Sequence, residues 1–234
     1  MTGKLKNKIA LITGASRGIG AAVAKKYASE GAHVILVART TSGLEEVDDA
    51  IKSAGGEATL VPLDLLEYDK IDQLGSVIAE KFGRLDILVG NAASLGGLSP
   101  VHHIAPKIWE KTIGLNLTAN YRLIRSFDPL LRQSDAGRAI FVSSGIAAGD
   151  FPFWGLYGAS KAGLEKLVTT YALEIEKTNI RANLIDPGEV ATNMHAEAMP
   201  GIDPATLPSP DDVTDIFVKL AEDKMQDNGK IFKN

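Results

Sequence analysis

The chain contains no cysteine. Disulfides, thiolate zinc sites and iron–sulfur clusters are therefore excluded. It carries no excess of basic residues: 25 Lys and Arg stand against 29 Asp and Glu, a net charge of −4. That balance argues against a nucleic-acid surface, which is usually a basic patch. Lys4, Lys6 and Lys8 read as a solvated entry to the first strand and not as a nucleic-acid arm. No apolar stretch is long enough to span a bilayer, and the N-terminal apolar run is too short for a signal peptide. No membrane association and a cytoplasmic location are the expectation. Linkers, low-complexity tracts and repeats of solenoid period are missing as well.

What is present fits one soluble domain. The 234 residues are 45% hydrophobic and 23% charged, ordinary values for a globular chain with ample length for a core. Apolar runs at 8–12, 33–38, 58–62, 87–89, 139–142, 180–185 and 230–232 read as strands. Between them, 21–28, 43–54, 68–82, 106–132, 156–177 and 213–221 read as helices. Regular alternation of helices with strands that are apolar throughout predicts a Rossmann-type α/β fold. This is a doubly wound parallel sheet with helices on both faces, a single domain over 1–234. The Pro- and Gly-rich stretch within 190–210 is too long for an ordinary connection and predicts a substrate lid.

The stretch Thr13-Gly14-Ala15-Ser16-Arg17-Gly18-Ile19-Gly20 joins the first strand to the first helix. Its spacing is G-x-x-x-G-x-G, neither G-x-G-x-x-G nor a P-loop. A glycine turn at a helix N-terminus lets backbone N–H groups meet a phosphate. Taken alone, the triplet is equally well a strand–helix turn with extra glycines. Ligands of such sheets bind at the carboxyl ends of the strands, so polar residues there carry the most information.

Tyr157 and Lys161 lie four apart and share a helix face. A free phenol titrates near 10 and is a poor acid–base group at neutral pH. An ammonium about 4 Å away is worth roughly 4 kcal/mol at an effective dielectric near 20, enough to lower that value by up to about three units. Ser144 ends the fifth strand, where it could hydrogen-bond a substrate carbonyl. Asn116 lies inside a helix, where it could hold a water or a backbone group, and Asn91 follows the fourth strand. Each alone is an ordinary polar residue, and Tyr-x-x-x-Lys is a common surface pair.

Together they form an ordered set, and the chain resembles the classical short-chain dehydrogenase/reductase family over essentially its whole length. Thr13–Gly20 resembles that family's T-G-x-x-x-G-x-G cofactor loop. Gly90-Asn91-Ala92-Ala93 resembles its N-N-A-G element, from which Gly90 and Ala93 depart. Asn116, Ser144, Tyr157 and Lys161 match its catalytic tetrad in order, and Pro187-Gly188, Val190 and Thr192 its nicotinamide-side segment.

The resemblance implies hydride transfer between a nicotinamide and a small carbonyl or alcohol substrate. Tyr157 would be the general acid or base, Lys161 would bind the ribose and depress the tyrosine, Ser144 would orient the substrate oxygen, and Asn116 would hold a relay water. Gly14, Ser16, Arg17, Gly18, Ile19, Gly20, Asn91 and Asp64 would contact the cofactor, Asp64 beside the adenine. Ala38 stands where an acid would select NAD(H), with Arg39 next to it and Arg17 nearby, so NADP(H) is expected over NAD(H). A homodimer or homotetramer is implied, the chain's short ending after 230–232 weakening the tetramer. Two other readings are a 3-oxoacyl thioester reductase of the same family and a non-catalytic NADP(H)-binding regulator. The regulator fits less well with retained Tyr157, Lys161 and Ser144. Phe151, Phe153, Trp154, Met194, His195 and Met199 suggest an apolar substrate pocket. His102 and His103 have no nearby ligand partner, so no metal is expected.

Overall fold

The computed structural model describes residues 3–234. Seven strands, β1 (Ile9–Thr13), β2 (His33–Ala38), β3 (Glu57–Pro62), β4 (Ile87–Gly90), β5 (Arg138–Val142), β6 (Arg181–Asp186) and β7 (Ile231–Lys233), form one sheet in the order β3-β2-β1-β4-β5-β6-β7. Every pairing is parallel. The Rossmann-type single domain expected from the alternation of elements is the fold observed.

The inner strands feed both faces. Ala10, Ile12, Val34 and Leu36 enter a core against the helices α1 (Gly18–Ser29), α2 (Thr41–Ser53) and α8 (Thr214–Ala221). Their neighbours Leu11, Ile35 and Val37 enter a second core on the opposite face. That core is closed by α3 (Tyr68–Phe82), α5 (Ala119–Leu131) and α6 (Gly155–Glu174). Successive side chains of a strand point to opposite faces, so strands covered on both faces are apolar throughout. The chain reverses its winding direction between β1 and β4, which are neighbours in the sheet. This switch point is where a crevice opens at the carboxyl edge.

Element bounds agree with the sequence reading to within a few residues, with three differences. The helix expected at 106–132 is α4 (Pro106–Ile113) and α5 joined by a π turn, Gly114–Thr118. Such widened turns occur mostly at functional sites, and Asn116 is at its centre. The helix expected to reach 177 ends at Glu174, and Thr178 N–H then bonds the carbonyl of Ile175 at 2.8 Å. The stretch 190–210 holds a short helix, α7 (Asn193–Ala198), and a single 3-10 turn, Pro204–Thr206. Its ends are pinned by the bond from Ala191 N–H to Pro208 O at 2.9 Å. Among the described residues, no helix is long and apolar enough to cross a membrane.

Candidate active site

The turn after β1 is built for close approach. Gly14 (φ +67°) and Gly18 (φ +57°) occupy left-handed conformations that cost glycine little. A Cβ on Gly20 would lie 2.3 Å from the carbonyl oxygen of Gly14 and 2.5 Å from Asn91 Nδ2, so only glycine closes the loop onto α1. The N-terminus of α1 has no side-chain cap and no acid in its first turn. Its first backbone N–H groups and positive dipole end are therefore left to an outside acceptor. Arg17 is exposed beside them, and Ser16 packs against Gly43 at the start of α2, whose Cβ would lie 3.0 Å from that of the serine. A diphosphate fits this cradle.

Asn91 braces that turn. Its Nδ2 donates to Thr13 O at 2.9 Å, while its own N–H and that of Ala92 donate to Thr13 Oγ1. Thr13 Oγ1 in turn donates to Val89 O. The Asn91 side chain thus supports the loop, and the element that departs from the family pattern at Gly90 and Ala93 still makes an ordered contact with β1.

Along the same edge, Arg39 follows the small Ala38 at the end of β2 and is exposed. Its Nη1 lies 3.9 Å from Asp64 Oδ2, and Asp64 Oδ1 accepts the N–H of Leu66 at 3.0 Å. A pair this long and this exposed holds Arg39 only weakly.

At the ends of β5 and β6 the remaining groups converge. Lys161, wholly buried in α6, donates from Nζ to Val142 O at 2.7 Å. That nitrogen is 5.6 Å from the ring centre of Tyr157, one turn earlier. Ser144 works to favour the ionised form of the Tyr157 phenol, and its Oγ accepts Ile146 N–H at 3.3 Å. Burial outweighs this and pushes the phenol up to about 12, with the Asp186 carboxylate adding in the same direction. Burial also brings the Lys161 ammonium down to about 8, against the pull of Glu165. In the chain without cofactor, loss of hydration is the largest effect on Tyr157.

Asn116, fully buried in the π turn, accepts from Ser94 N–H at 2.8 Å. It donates to Ser94 O and to Ser160 Oγ, both at 2.9 Å. Its side chain joins the loop after β4 to α6, and its carbonyl accepts Asn120 Nδ2 at 2.7 Å.

After β6, Gly188 (φ +70°) turns the chain at Pro187, Val190 is buried, and Thr192 caps α7 by accepting His195 N–H at 3.2 Å. Thr192 Cγ2 stands 3.5 Å from where a Cβ on Gly18 would be. The start of the 190–210 stretch thus leans on the glycine turn.

The model of the family described as short chain dehydrogenase matches residues 8–202. The chain belongs to the short-chain dehydrogenase family. It is 35% identical over 232 residues, 97% of this chain and 92% of the other, to an uncharacterized oxidoreductase, YciK, of Escherichia coli strain K12. A short chain dehydrogenase from Salmonella enterica serovar Typhi superposes with a TM-score of 0.96 at 34% identity, covering 100% of this chain and 98% of that one. A short chain dehydrogenase from Shigella flexneri complexed with NADP gives 0.94 at 35% identity, 98% of each chain being covered.

As a short-chain dehydrogenase, the chain holds residues that reading by motif did not single out. Thr13 ties β1 to β4, and its place at the head of the glycine motif was the available signal. Ser94 and Ser160 are partners of Asn116, but nothing in their spacing pairs them. Asp186 carries no motif signal of its own beside Pro187-Gly188.

Proposed function

We propose that the protein is an NADP(H)-dependent oxidoreductase acting on a carbonyl or alcohol, with Tyr157 as its general acid and base. The observation that carries this reading is the meeting of Ser144, Tyr157 and Lys161 at one edge of the sheet, in the crevice that begins at the glycine turn. The relative complexed with NADP supports the choice of cofactor, as do Ala38 and the loosely held Arg39.

When bound, NADP(H) supplies or accepts the hydride. Gly14, Ser16, Arg17, Gly18, Ile19 and Gly20 would hold its diphosphate, with Thr192 closing over them. Arg39 would pair with the 2′-phosphate, Asp64 would lie by the adenine, and Pro187, Gly188 and Val190 would flank the nicotinamide. Ser144 Oγ holds the substrate oxygen, and the Tyr157 phenol gives it a proton in reduction or takes one in oxidation. Lys161 keeps positive charge beside the phenol, and the Asn116 carbonyl in the widened turn is the place for a relay water.

The substrate is an apolar carbonyl compound. Phe151 and Phe153 are exposed on the loop before α6, and Phe153 holds φ +74°, a conformation costly for a bulky residue. Its carbonyl accepts Ser99 N–H at 3.1 Å from the loop after β4. Residues 190–210 serve as a lid over this opening. The exposed Trp109, Tyr121 and Leu173 on α4, α5 and α6 suit a homodimer or homotetramer contact.

The test is oxidation of NADPH and NADH over a carbonyl panel that includes a 3-oxoacyl thioester, with Tyr157→Phe as control. NADPH turnover lost in the variant is the expected result. NADPH binding without turnover of any carbonyl would favour a regulatory protein.

A further inference from the structure

Asp186 ends β6, immediately before Pro187-Gly188. The residue is half-buried, at the carboxyl edge of the sheet. Oδ1 accepts the Gly188 N–H at 3.1 Å. Oδ2 lies 3.3 Å from the point where a side chain on residue 145 would place its Cβ. It faces the turn after Ser144, uncovered because that residue is glycine. The carbonyl of Asp186 accepts Asn234 N–H, and its register partner on β7 is Lys233. Among the described residues neither Lys233 nor any other basic side chain forms an ion pair with it. Its charge is felt at Tyr157, so it acts at the reacting end of the crevice.

We propose that Asp186 is the counter-charge for the oxidised nicotinamide and sets which redox form of the cofactor is held more tightly. This rests on the cofactor and Tyr157 assignments above. A hydride donor must reach the carbon whose oxygen meets Tyr157 and Ser144, at near-contact distance. That brings the nicotinamide to the space bordered by Gly145, Asp186 and Tyr157. The ring is cationic when oxidised and neutral when reduced, so a nearby carboxylate stabilises only the oxidised form. Lys161 acts in the opposite sense from α6, with Glu165 beside it, and the net preference depends on Asp186. The 2′-phosphate end, by Arg39 beyond β1 and β2, is insensitive to it.

The experiment is equilibrium titration of the full chain with NADP+, NADPH and 2′,5′-ADP at neutral pH. Asp186→Asn keeps the acceptor for Gly188 N–H and removes the charge. It should weaken NADP+ about tenfold relative to NADPH, raising the potential of the bound two-electron couple by about 30 mV. Affinity for 2′,5′-ADP should not change, and Asp186→Glu should retain most of the wild-type ratio. An unchanged NADP+ to NADPH ratio in Asp186→Asn overturns the proposal while leaving the cofactor reading intact. Parallel loss of all three ligands also overturns it, since Asp186 would then serve only the turn at Gly188. Failure of the wild-type chain to bind any of the three removes the cofactor reading and this inference with it.

Discussion

Lys161 Nζ donates to the carbonyl oxygen of Val142 at 2.7 Å, tying the helix that carries Tyr157 to the strand that delivers Ser144. The bond keeps an ammonium in the core, where burial lowers its proton affinity to about 8 from an ordinary 10.5. Between those two values the unfolded chain binds more protons than the folded one, so this group makes stability rise with pH. Between about pH 7 and 10 the wild type should gain about 2 kcal/mol relative to Lys161→Met, read by urea denaturation. Above pH 10 the raised phenol of Tyr157 works the other way, because the folded state keeps a proton that the unfolded state loses. Parallel pH slopes for the two proteins would show that the buried lysine costs nothing.

Gly20 and Gly55 separate space from conformation. A Cβ at Gly20 meets the Gly14 carbonyl at 2.3 Å, whereas at Gly55 (φ +80°) nothing lies within 4 Å. Gly20→Ala should therefore reduce NADPH affinity more than about tenfold by opening the phosphate cradle. Gly55→Ala should leave affinity unchanged and cost about 1 kcal/mol of stability through its left-handed backbone. Calorimetric titration of both variants checks the contrast, and equal affinities would rule out the cradle.

Asn116 makes three hydrogen bonds from a fully buried position. Asn116→Ala leaves the Ser94 N–H and carbonyl unpaired, each costing about 1–3 kcal/mol if it stays dry. A loss of about 3 kcal/mol in urea denaturation is expected. Asn116→Asp keeps the acceptor for Ser94 N–H but sets a buried carboxylate oxygen against the Ser94 carbonyl, so it should lose at least as much. If both variants unfold at the wild-type midpoint, the side chain is not what joins the loop to α6.

Much of this architecture was legible because its signals are local. Apolar strand runs, glycine punctuation and Gly83 in its left-handed cap (φ +71°) depend on neighbouring residues only, so β2 and α3 could be bounded from the sequence. The glycine turn and the Tyr157–Lys161 spacing are local too. What depends on burial was not legible. The sequence places an ammonium one turn from a phenol but does not show that both are desolvated. The π turn at Asn116 arises from partners 22 and 44 residues away. By sequence Asp186 is only the end of a strand; its nearness to the uncovered face of Gly145 is a tertiary feature.

Arg39 provides the decisive test of cofactor choice. Its contact with Asp64 is 3.9 Å long and both side chains are substantially exposed, so the pair contributes little and the guanidinium can turn to a 2′-phosphate without loss. Its charge-assisted bonds to that phosphate should be worth about 1.5–3 kcal/mol, roughly 10- to 100-fold in affinity. Arg39→Ala should raise the KM for NADPH by that factor with little change for NADH. Arg39→Asp places a carboxylate beside the same ribose, where it repels a 2′-phosphate and accepts from a 2′-hydroxyl. It should reverse the preference. The kcat/KM ratio for the two cofactors, measured with one carbonyl substrate, reads the switch directly. A ratio unchanged in Arg39→Asp would mean that Arg17, at the N-terminus of α1, carries the discrimination instead.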